Sequence, residues 1–224
     1  MKRFVASSMI GCAVTCAAAR ADTTITVNPG DAWIGFMNVF QLPSNGGGYV
    51  FGSPWGTADL VATFSGPTLT LAPNSVNDPD PFWYQGGGGP GHPGNKTMDA
   101  NMYVEQTGPL AGQTVTFTGM VLSNTLVQPY TSVAFIKDFA ADYSSNVTVT
   151  APLTPGAFSI SLATNVDPGH HIQYGFETIG PNVWITDAPA MGNVQVTAIP
   201  EPAATATVAA GAVSGLAMRR RRQA

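Results

Sequence analysis

The sequence predicts an all-β fold, a single two-sheet sandwich of the jelly-roll type. The chain has 25 glycines and 18 prolines among its 224 residues, so turns are frequent. Short runs of Val, Thr and aromatic residues alternate between polar and apolar with a period of two, which is the pattern of strands. No long helical pattern occurs between residues 22 and 198. About ten to twelve strands in one domain imply two packed layers.

The predicted strands are separated by clusters of Gly, Pro, Asn and Asp. They cover residues 23–28, 58–64, 68–71, 101–106, 114–122, 131–139, 146–150, 157–162, 171–179 and 193–197. In "TVTFTGMVL", residues 114–122, Val115, Phe117 and Val121 would share one face with Gly119, and the threonines would share the other. Since no proline interrupts this run, we expect it to be a central strand.

The amino-terminal segment, residues 1–21, has the pattern of a secretory signal peptide, which would form a helix before the sandwich. Lys2 and Arg3 precede an apolar run from residue 4 to residue 18, and Ala19-Arg20-Ala21 offers a cleavage site for signal peptidase. The alternative is a lipoprotein signal, because "MIGC" at residues 9–12 weakly resembles a lipobox and would place a lipid on Cys12. Both cysteines of the chain, Cys12 and Cys16, lie in this segment, so the exported body would form no disulfide.

The carboxyl-terminal segment, residues 199–224, has three parts in order. Pro200-Glu201-Pro202 is followed by an uncharged run at residues 203–218 and then by the arginine cluster Arg219, Arg220, Arg221 and Arg222. The run of 16 residues is shorter than the roughly 20 that span a bilayer comfortably. Four arginines would hold its far end on the cytoplasmic side and leave the body outside, in agreement with the signal peptide.

This tripartite tail resembles the PEP-CTERM sorting signal. The resemblance implies an exported protein of a Gram-negative-type bacterium, processed by an exosortase-type transpeptidase after transient insertion of the tail, as a hydrophobic helix, into the inner membrane. The cell surface or the extracellular matrix would then be the destination, and the apolar tail would be removed from the mature protein.

The body between the two segments is strongly acidic. Between residues 22 and 202 only Lys96 and Lys137 are basic, against all 13 acidic residues of the chain, which gives a formal charge of −11. Such a body is repelled by phosphate backbones and anionic headgroups, so nucleic acid is not expected as a partner. Neutral glycans or divalent cations fit this charge better, although acidic residues also serve simply to keep an exported domain soluble.

The later half of the body resembles sandwich domains of the carbohydrate-binding-module type. The resemblance rests on "VAFIKDF", "PGAFSISL", "IQYGFETIGPNVW" and "GNVQVT", and it follows strand rhythm more than a signature. It implies glycan binding but assigns no residue.

The longest irregular segment, residues 73–99, is the predicted location of a binding site, because long loops on a rigid sandwich often carry function. Trp83 and Tyr84 are candidate sugar platforms, with Asp80 as a hydrogen-bond acceptor. Adjacent residues of a strand face opposite ways, so one of the two rings would point inward. Calcium is the possible cofactor, and its candidate ligands are Asn77, Asp78, Asp80 and Asp99.

No catalytic residue is assigned. The chain has no G-x-S-x-G elbow and no H-E-x-x-H, and His170 and His171 would face opposite sides of a strand. The acid pairs Asp138 with Asp142 and Glu105 with Glu177 could flank a glycosidic bond. The leading hypothesis is a non-catalytic exported protein that binds glycan or exopolysaccharide. The alternatives are a structural matrix protein without a discrete ligand and a glycoside hydrolase or lyase.

Overall fold

The computed structural model of the chain describes residues 21–200. Apart from Ala21, the predicted signal peptide with its Ala19 lies outside the described residues. So do the parts of the sorting segment beyond Pro200, including Glu201, Pro202 and Arg219–Arg222. The two flanking helices predicted for these segments therefore stay predictions.

Twelve strands form within the described range. They are β1 Asp22–Thr26, β2 Ile34–Gln41, β3 Tyr49–Trp55, β4 Ala62–Ser65, β5 Thr68–Leu71, β6 Lys96–Thr107, β7 Thr114–Asn124, β8 Thr131–Phe139, β9 Asn146–Pro152, β10 Gly156–Ala163, β11 His171–Pro181 and β12 Val194–Thr197. Two short 3₁₀ turns, Pro43–Asn45 and Ala188–Met191, are the only helical pieces in this part of the chain. Neither of them has the length and apolar character of a membrane-crossing helix.

The strands make two packed six-stranded sheets, so the predicted two-sheet sandwich is confirmed. Sheet B has the order β3-β2-β6-β11-β8-β9, and every neighbouring pair in it is antiparallel. In sheet A, β4, β5, β12 and β7 follow one another, while β10 pairs with β7 and β1 runs parallel to it. Strand β7 is thus central, as its uninterrupted pattern predicts.

Aromatic side chains form the middle of the core between the sheets. Phe117 of β7 is fully buried, and its ring centroid lies 5.4 Å from those of Phe158 and Phe176 and 5.5 Å from that of Tyr174. Phe158 belongs to β10 of sheet A and Phe176 belongs to β11 of sheet B, so the contacts of Phe117 with both rings join the two sheets. Removing such a side chain from water contributes about 1.5–3 kcal/mol to folding.

The strands differ from the sequence prediction at three places. Strands β2 and β3 were not predicted, and residues 58–61 form a turn instead of the start of a strand. Strand β6 begins at Lys96, inside the segment predicted as loop, so the irregular segment covers residues 72–95. The extension of β6 matters for function because it places Asp99 in sheet B.

Candidate functional site

A groove of about 560 Å³ lies on the outer face of sheet B, the face turned away from sheet A. We call it the sheet-B groove. Four central strands supply its floor, and the edge strand β3 and the loop after β8 complete its walls. The lining side chains are Phe36, Asn38, Pro54, Asn101, Tyr103, Glu105, Lys137, Phe139, Tyr143 and Gln173.

The alternation of β6 places the polar groups of the groove. Asn101, Tyr103 and Glu105 project outward, whereas Met102 and Val104 project into the core. Antiparallel pairing then sets Glu105 opposite Gln173 of β11 and Asn101 opposite Glu177. Because successive residues of a strand point to opposite faces, one run of sequence supplies both a core wall and a polar floor.

Gly175 lies between two aromatic residues on the outer face of sheet B. It pairs with Tyr103 on one side and with Phe135 on the other. A Cβ atom at this position would lie 2.1 Å from the carbonyl oxygen of Met102 and 2.6 Å from the Cα of Tyr103. Only glycine fits here, and its missing side chain lets the Tyr103 and Phe135 rings approach to 6.4 Å between centroids.

A chain of hydrogen bonds crosses four strands beneath the groove. The Asn38 Nδ2 donates to Asp99 Oδ2 at 3.1 Å, and the Asn101 Nδ2 donates to Asp99 Oδ1 at 2.6 Å. The Lys137 Nζ donates to Asn101 Oδ1 at 2.8 Å and to Glu177 Oε2 at 2.9 Å. The same ammonium lies 4.1 Å from the centroid of the Phe135 ring. Lys137 is therefore held by partners within the sheet, and it neutralises part of the acidic charge there.

Asp99 is the residue of this hydrogen-bond chain whose pKa is shifted most. Burial, and to a smaller degree the negative charge of Glu177, raise its pKa from 3.8 to about 6, although Lys137 and the two asparagines act in the opposite direction. Burial disfavours the charged carboxylate because water no longer solvates it.

Tyr143 forms a wall of the groove. Its hydroxyl donates to Glu105 Oε1 at 2.9 Å, while the Gln173 Nε2 donates to Glu105 Oε2 at 2.7 Å. The ring stacks on His171 with centroids 4.2 Å apart and planes 11° from parallel. Burial and the bond to Glu105 raise the pKa of Tyr143 to about 12, so its hydroxyl stays a donor at neutral pH.

The groove combines apolar walls with a hydrogen-bonding floor. Phe36, Pro54, Phe139 and Tyr143 supply the walls, and amides and a carboxylate supply the floor. Pyranose rings bind to such surfaces, because their C–H faces pack on aromatic rings while their hydroxyls bond to amide and carboxylate groups. Within residues 21–200 no arginine occurs, and the one lysine of the groove is already paired, so an anionic ligand would find no free cation here.

Tyr84, a predicted sugar platform, lies in the core of its loop, and this prediction is wrong. Its side chain is 0% exposed, and its hydroxyl donates to the carbonyl oxygens of Val76 and Val183 at 2.5 and 3.1 Å. The expectation that one of the two neighbouring rings points inward is confirmed. Trp83 is half-buried and packs edge-on against Phe51 and Phe82.

Three of the four candidate metal ligands, Asp78, Asp80 and Asp99, have protein partners in different places. Asp78 Oδ1 accepts from the Asp80 backbone N–H at 3.0 Å, and Asp80 Oδ1 accepts from the Phe82 N–H at 2.7 Å, as in ordinary Asx turns. Asp99, by contrast, belongs to the hydrogen-bond chain under the groove. Residues 21–200 contain no group of three or more His, Cys, Asp or Glu side chains suited to a metal ion. Calcium binding through Asn77, Asp78, Asp80 and Asp99 stays a prediction.

The paired histidines face opposite sides of sheet B, and the first acid pair is divided between strand β8 and the loop that follows it. His170 Nδ1 lies 2.7 Å from Oδ1 of the buried Asp138, whereas His171 contacts Tyr143 on the groove side. Asp142 is exposed in the loop after β8, so it shares no groove with Asp138. Glu105 and Glu177 do face the same side, but the partner of Glu105 on β11 is four residues from Glu177, a strand distance of about 13 Å.

Comparison of the chain with protein-family models and with curated proteins finds no match. The groove residues were also missed by sequence reasoning, which placed the site in the loop. The signal that could have found them is the run from Asp99 to Glu105, in which polar and aromatic residues alternate strictly with Ala, Met and Val.

Proposed function

We propose that this protein is an exported, non-catalytic β-sandwich of the bacterial cell surface or extracellular matrix that binds a neutral glycan in the sheet-B groove. The observation that carries the proposal is the groove itself, where half-buried aromatic walls meet a floor of amide and carboxylate groups. This is the surface that a polysaccharide segment needs, and it replaces the loop around Trp83 as the expected site.

Electrostatics support a neutral ligand. Glu105 lines the groove, and the Asp99–Lys137–Glu177 group beneath it carries two carboxylates and one ammonium. Polysaccharides with carboxylate or sulfate groups would meet this negative surface and be repelled. Neutral hexose or N-acetylhexosamine chains have no charge, so the negative surface does not repel them.

Export and sorting rest on the two ends of the sequence. The signal-peptide pattern implies signal peptidase as the first processing partner, and the PEP-CTERM-like tail implies an exosortase-type enzyme as the second. Transient insertion of residues 203–218 in the inner membrane would hold the precursor until the second cleavage.

The binding proposal is tested with a glycan array of neutral and acidic polysaccharides probed with the purified protein. For a polysaccharide that retains the protein, we expect Gln173→Ala to weaken binding about tenfold, because it removes a buried donor and leaves Glu105 Oε2 without its hydrogen bond. Gln195→Ala is the matched control, since Gln195 is a half-exposed glutamine of β12 in the other sheet. No retention on any polysaccharide, or equal losses in the two variants, would refute binding in the groove.

A structural matrix component without a discrete ligand is the second candidate, and strand β9 favours it. This strand is an edge of sheet B, it carries no charged residue, and Val147 in it is 60% exposed. Unprotected edges of this kind pair with strands of other molecules. Analytical ultracentrifugation distinguishes the candidates: concentration-dependent assembly that Val147→Lys abolishes would support a structural role, and a monomer at all concentrations would exclude it.

A further inference from the structure

A second cavity, of about 710 Å³, opens at the end of the sandwich where β6 begins and β11 ends. We call it the end cavity. It lies between the loop at residues 84–95 and the segment at residues 181–191, and it shares no lining residue with the sheet-B groove. Leu42, Val183 and Met191 are among its apolar walls, and Gln85 and Asp187 among its polar ones.

The walls of the end cavity are fixed by buried hydrogen bonds. Asn182 is fully buried, and its Nδ2 donates to the Trp83 carbonyl at 2.7 Å while its Oδ1 accepts from the Lys96 N–H at 3.1 Å. Across the mouth, Asp187 Oδ2 accepts from the Gly91 N–H at 2.6 Å. The two segments are therefore tied together, so the cavity does not have to form when a ligand arrives.

Tyr130 provides the feature that points to a ligand. The residue is 7% exposed and lines the cavity, yet its hydroxyl has no hydrogen-bond partner within residues 21–200. Its ring lies directly on Gly180, where a Cβ atom would be 2.1 Å from the ring. The side-chain polar atoms of residues 21–200 that are fully buried without a partner belong to Asn74 and Ser75, so the Tyr130 hydroxyl is the polar end of a buried ring that is open to the cavity. The hydroxyl is thus positioned to form a hydrogen bond with a ligand inside the cavity.

We propose that the end cavity is a second binding site, for a neutral hydroxylated ligand of the size of a sugar residue, with the Tyr130 hydroxyl as the hydrogen-bonding group that faces this ligand. Burial raises the pKa of Tyr130, so the hydroxyl keeps its proton and can both donate and accept. The inference goes beyond the proposed function, which concerns the sheet-B groove alone.

Charge and lining chemistry select this class of ligand. No lysine or arginine lines the end cavity, and its one carboxylate, Asp187, is already an acceptor for the Gly91 N–H and the Thr186 hydroxyl. An anion would therefore be repelled. Gln85, His92 and Thr186 add donors and acceptors around apolar walls, which is the usual composition of a site for a small neutral ligand.

Two separate sites would make each molecule bivalent toward a glycan. If both bind, one protein can hold two polysaccharide segments, and the second contact then forms at a high effective concentration. Cross-linking would give such a protein a role in the cohesion of a matrix. This consequence rests on the proposed function of the sheet-B groove, but the ligand site itself does not.

The test uses saturation-transfer NMR of the purified full chain with glucose, galactose, mannose and N-acetylglucosamine as separate probes. We expect at least one probe to bind and Ala190→Trp, which fills the rim of the end cavity, to weaken the signal. Tyr130→Phe deletes only the hydroxyl and should weaken affinity about 3- to 10-fold. Tyr143→Phe deletes a hydroxyl of the sheet-B groove and tests whether the probe binds there instead, while Tyr49→Phe, at an exposed tyrosine outside both cavities, is the control and should leave binding unchanged.

Three outcomes would overturn the inference: no probe binds, Ala190→Trp leaves binding intact, or Tyr143→Phe reduces binding while Tyr130→Phe does not. The last outcome would assign the sugar to the sheet-B groove, and the proposed function would stand. Conversely, monosaccharide binding that depends on Tyr130, together with no retention on polysaccharides in the array, would support the end cavity and refute binding in the groove.

Discussion

At the scale of single residues, Tyr84 anchors the long loop through its hydroxyl. The hydroxyl bonds to Val76 at both backbone atoms and to the Val183 carbonyl, so it joins two loops. We expect Tyr84→Phe to lower the free energy of unfolding by about 1–3 kcal/mol, because buried carbonyls lose their donor. Urea unfolding measures this change. Tyr49→Phe is the control, since Tyr49 is 62% exposed and its loss should change stability by less than about 0.5 kcal/mol.

Asp99 makes stability depend on pH in a predictable direction. Its pKa is raised to about 6 in the folded protein, from 3.8, so the folded state binds the proton more tightly than the unfolded state does. Its contribution to stability is therefore fully present below about pH 4 and is lost as the pH rises through 6. We expect the Asp99 carboxyl carbon to titrate near pH 6 by NMR.

Glu177→Gln provides the check on the cause of this shift. The substitution removes a negative charge that raises the pKa of Asp99 and releases Lys137 from its ion pair. Both changes favour the carboxylate, so the titration of Asp99 should move to lower pH. A midpoint near 4 in the unaltered protein would contradict the burial of Asp99 beneath the groove.

At the scale of strands, β11 depends on Gly175 to pair closely with β6. Gly175→Ala would place a methyl group 2.1 Å from a backbone oxygen, which a side-chain rotation cannot relieve. We expect the variant to lose about 2–4 kcal/mol of unfolding free energy and to bind glycan weakly, because the groove floor must shift. Gly48→Ala is the control, since nothing lies within 4 Å of the new methyl group. Equal stabilities of the two variants would contradict this close pairing.

Which strands could be predicted depended on whether their two faces differ. Strand β7 was found because buried Val115 and Phe117 alternate with threonines. Strand β2 was missed because Phe36 and Phe40 on its outer face are as apolar as Met37 and Val39 on its inner face. Strand β3 was missed because Gly52 and Pro54 interrupt it, and proline is tolerated there since β3 is an edge.

At the scale of the whole molecule, the groove could not be predicted because its residues meet only after the sheet forms. Phe36 and Gln173 are far apart in sequence, and the order β2-β6-β11-β8 brings their strands beside β6. The loop at residues 72–95 has adjacent aromatic and carboxylate residues, which favour a binding site when the sequence alone is considered. In the structure the carboxylates stabilise turns and Tyr84 packs in the core of the loop. In the sequence, the groove residues are indicated only by the alternation of polar and apolar residues along each strand, and this pattern is a weak indication for any single strand.

The two ends of the chain make a separate prediction about location. Deleting Arg219–Arg222, or replacing Glu201, should block removal of the tail and change the location of the protein, because the sorting signal would no longer be read. Mass spectrometry of the protein recovered from its source organism measures the carboxyl terminus. An intact tail in the unaltered protein would contradict the sorting interpretation.

The most direct test of glycan binding in the sheet-B groove is a chemical-shift map of the protein with a polysaccharide fragment retained in the array. The side-chain amides of Asn101 and Gln173 line this groove and report on its floor. We predict that their signals and those of the Tyr143 loop shift on titration, and that in Gln173→Ala the remaining shifts need about tenfold more ligand. Shifts confined to residues outside the groove, or no shifts at all, would contradict the account.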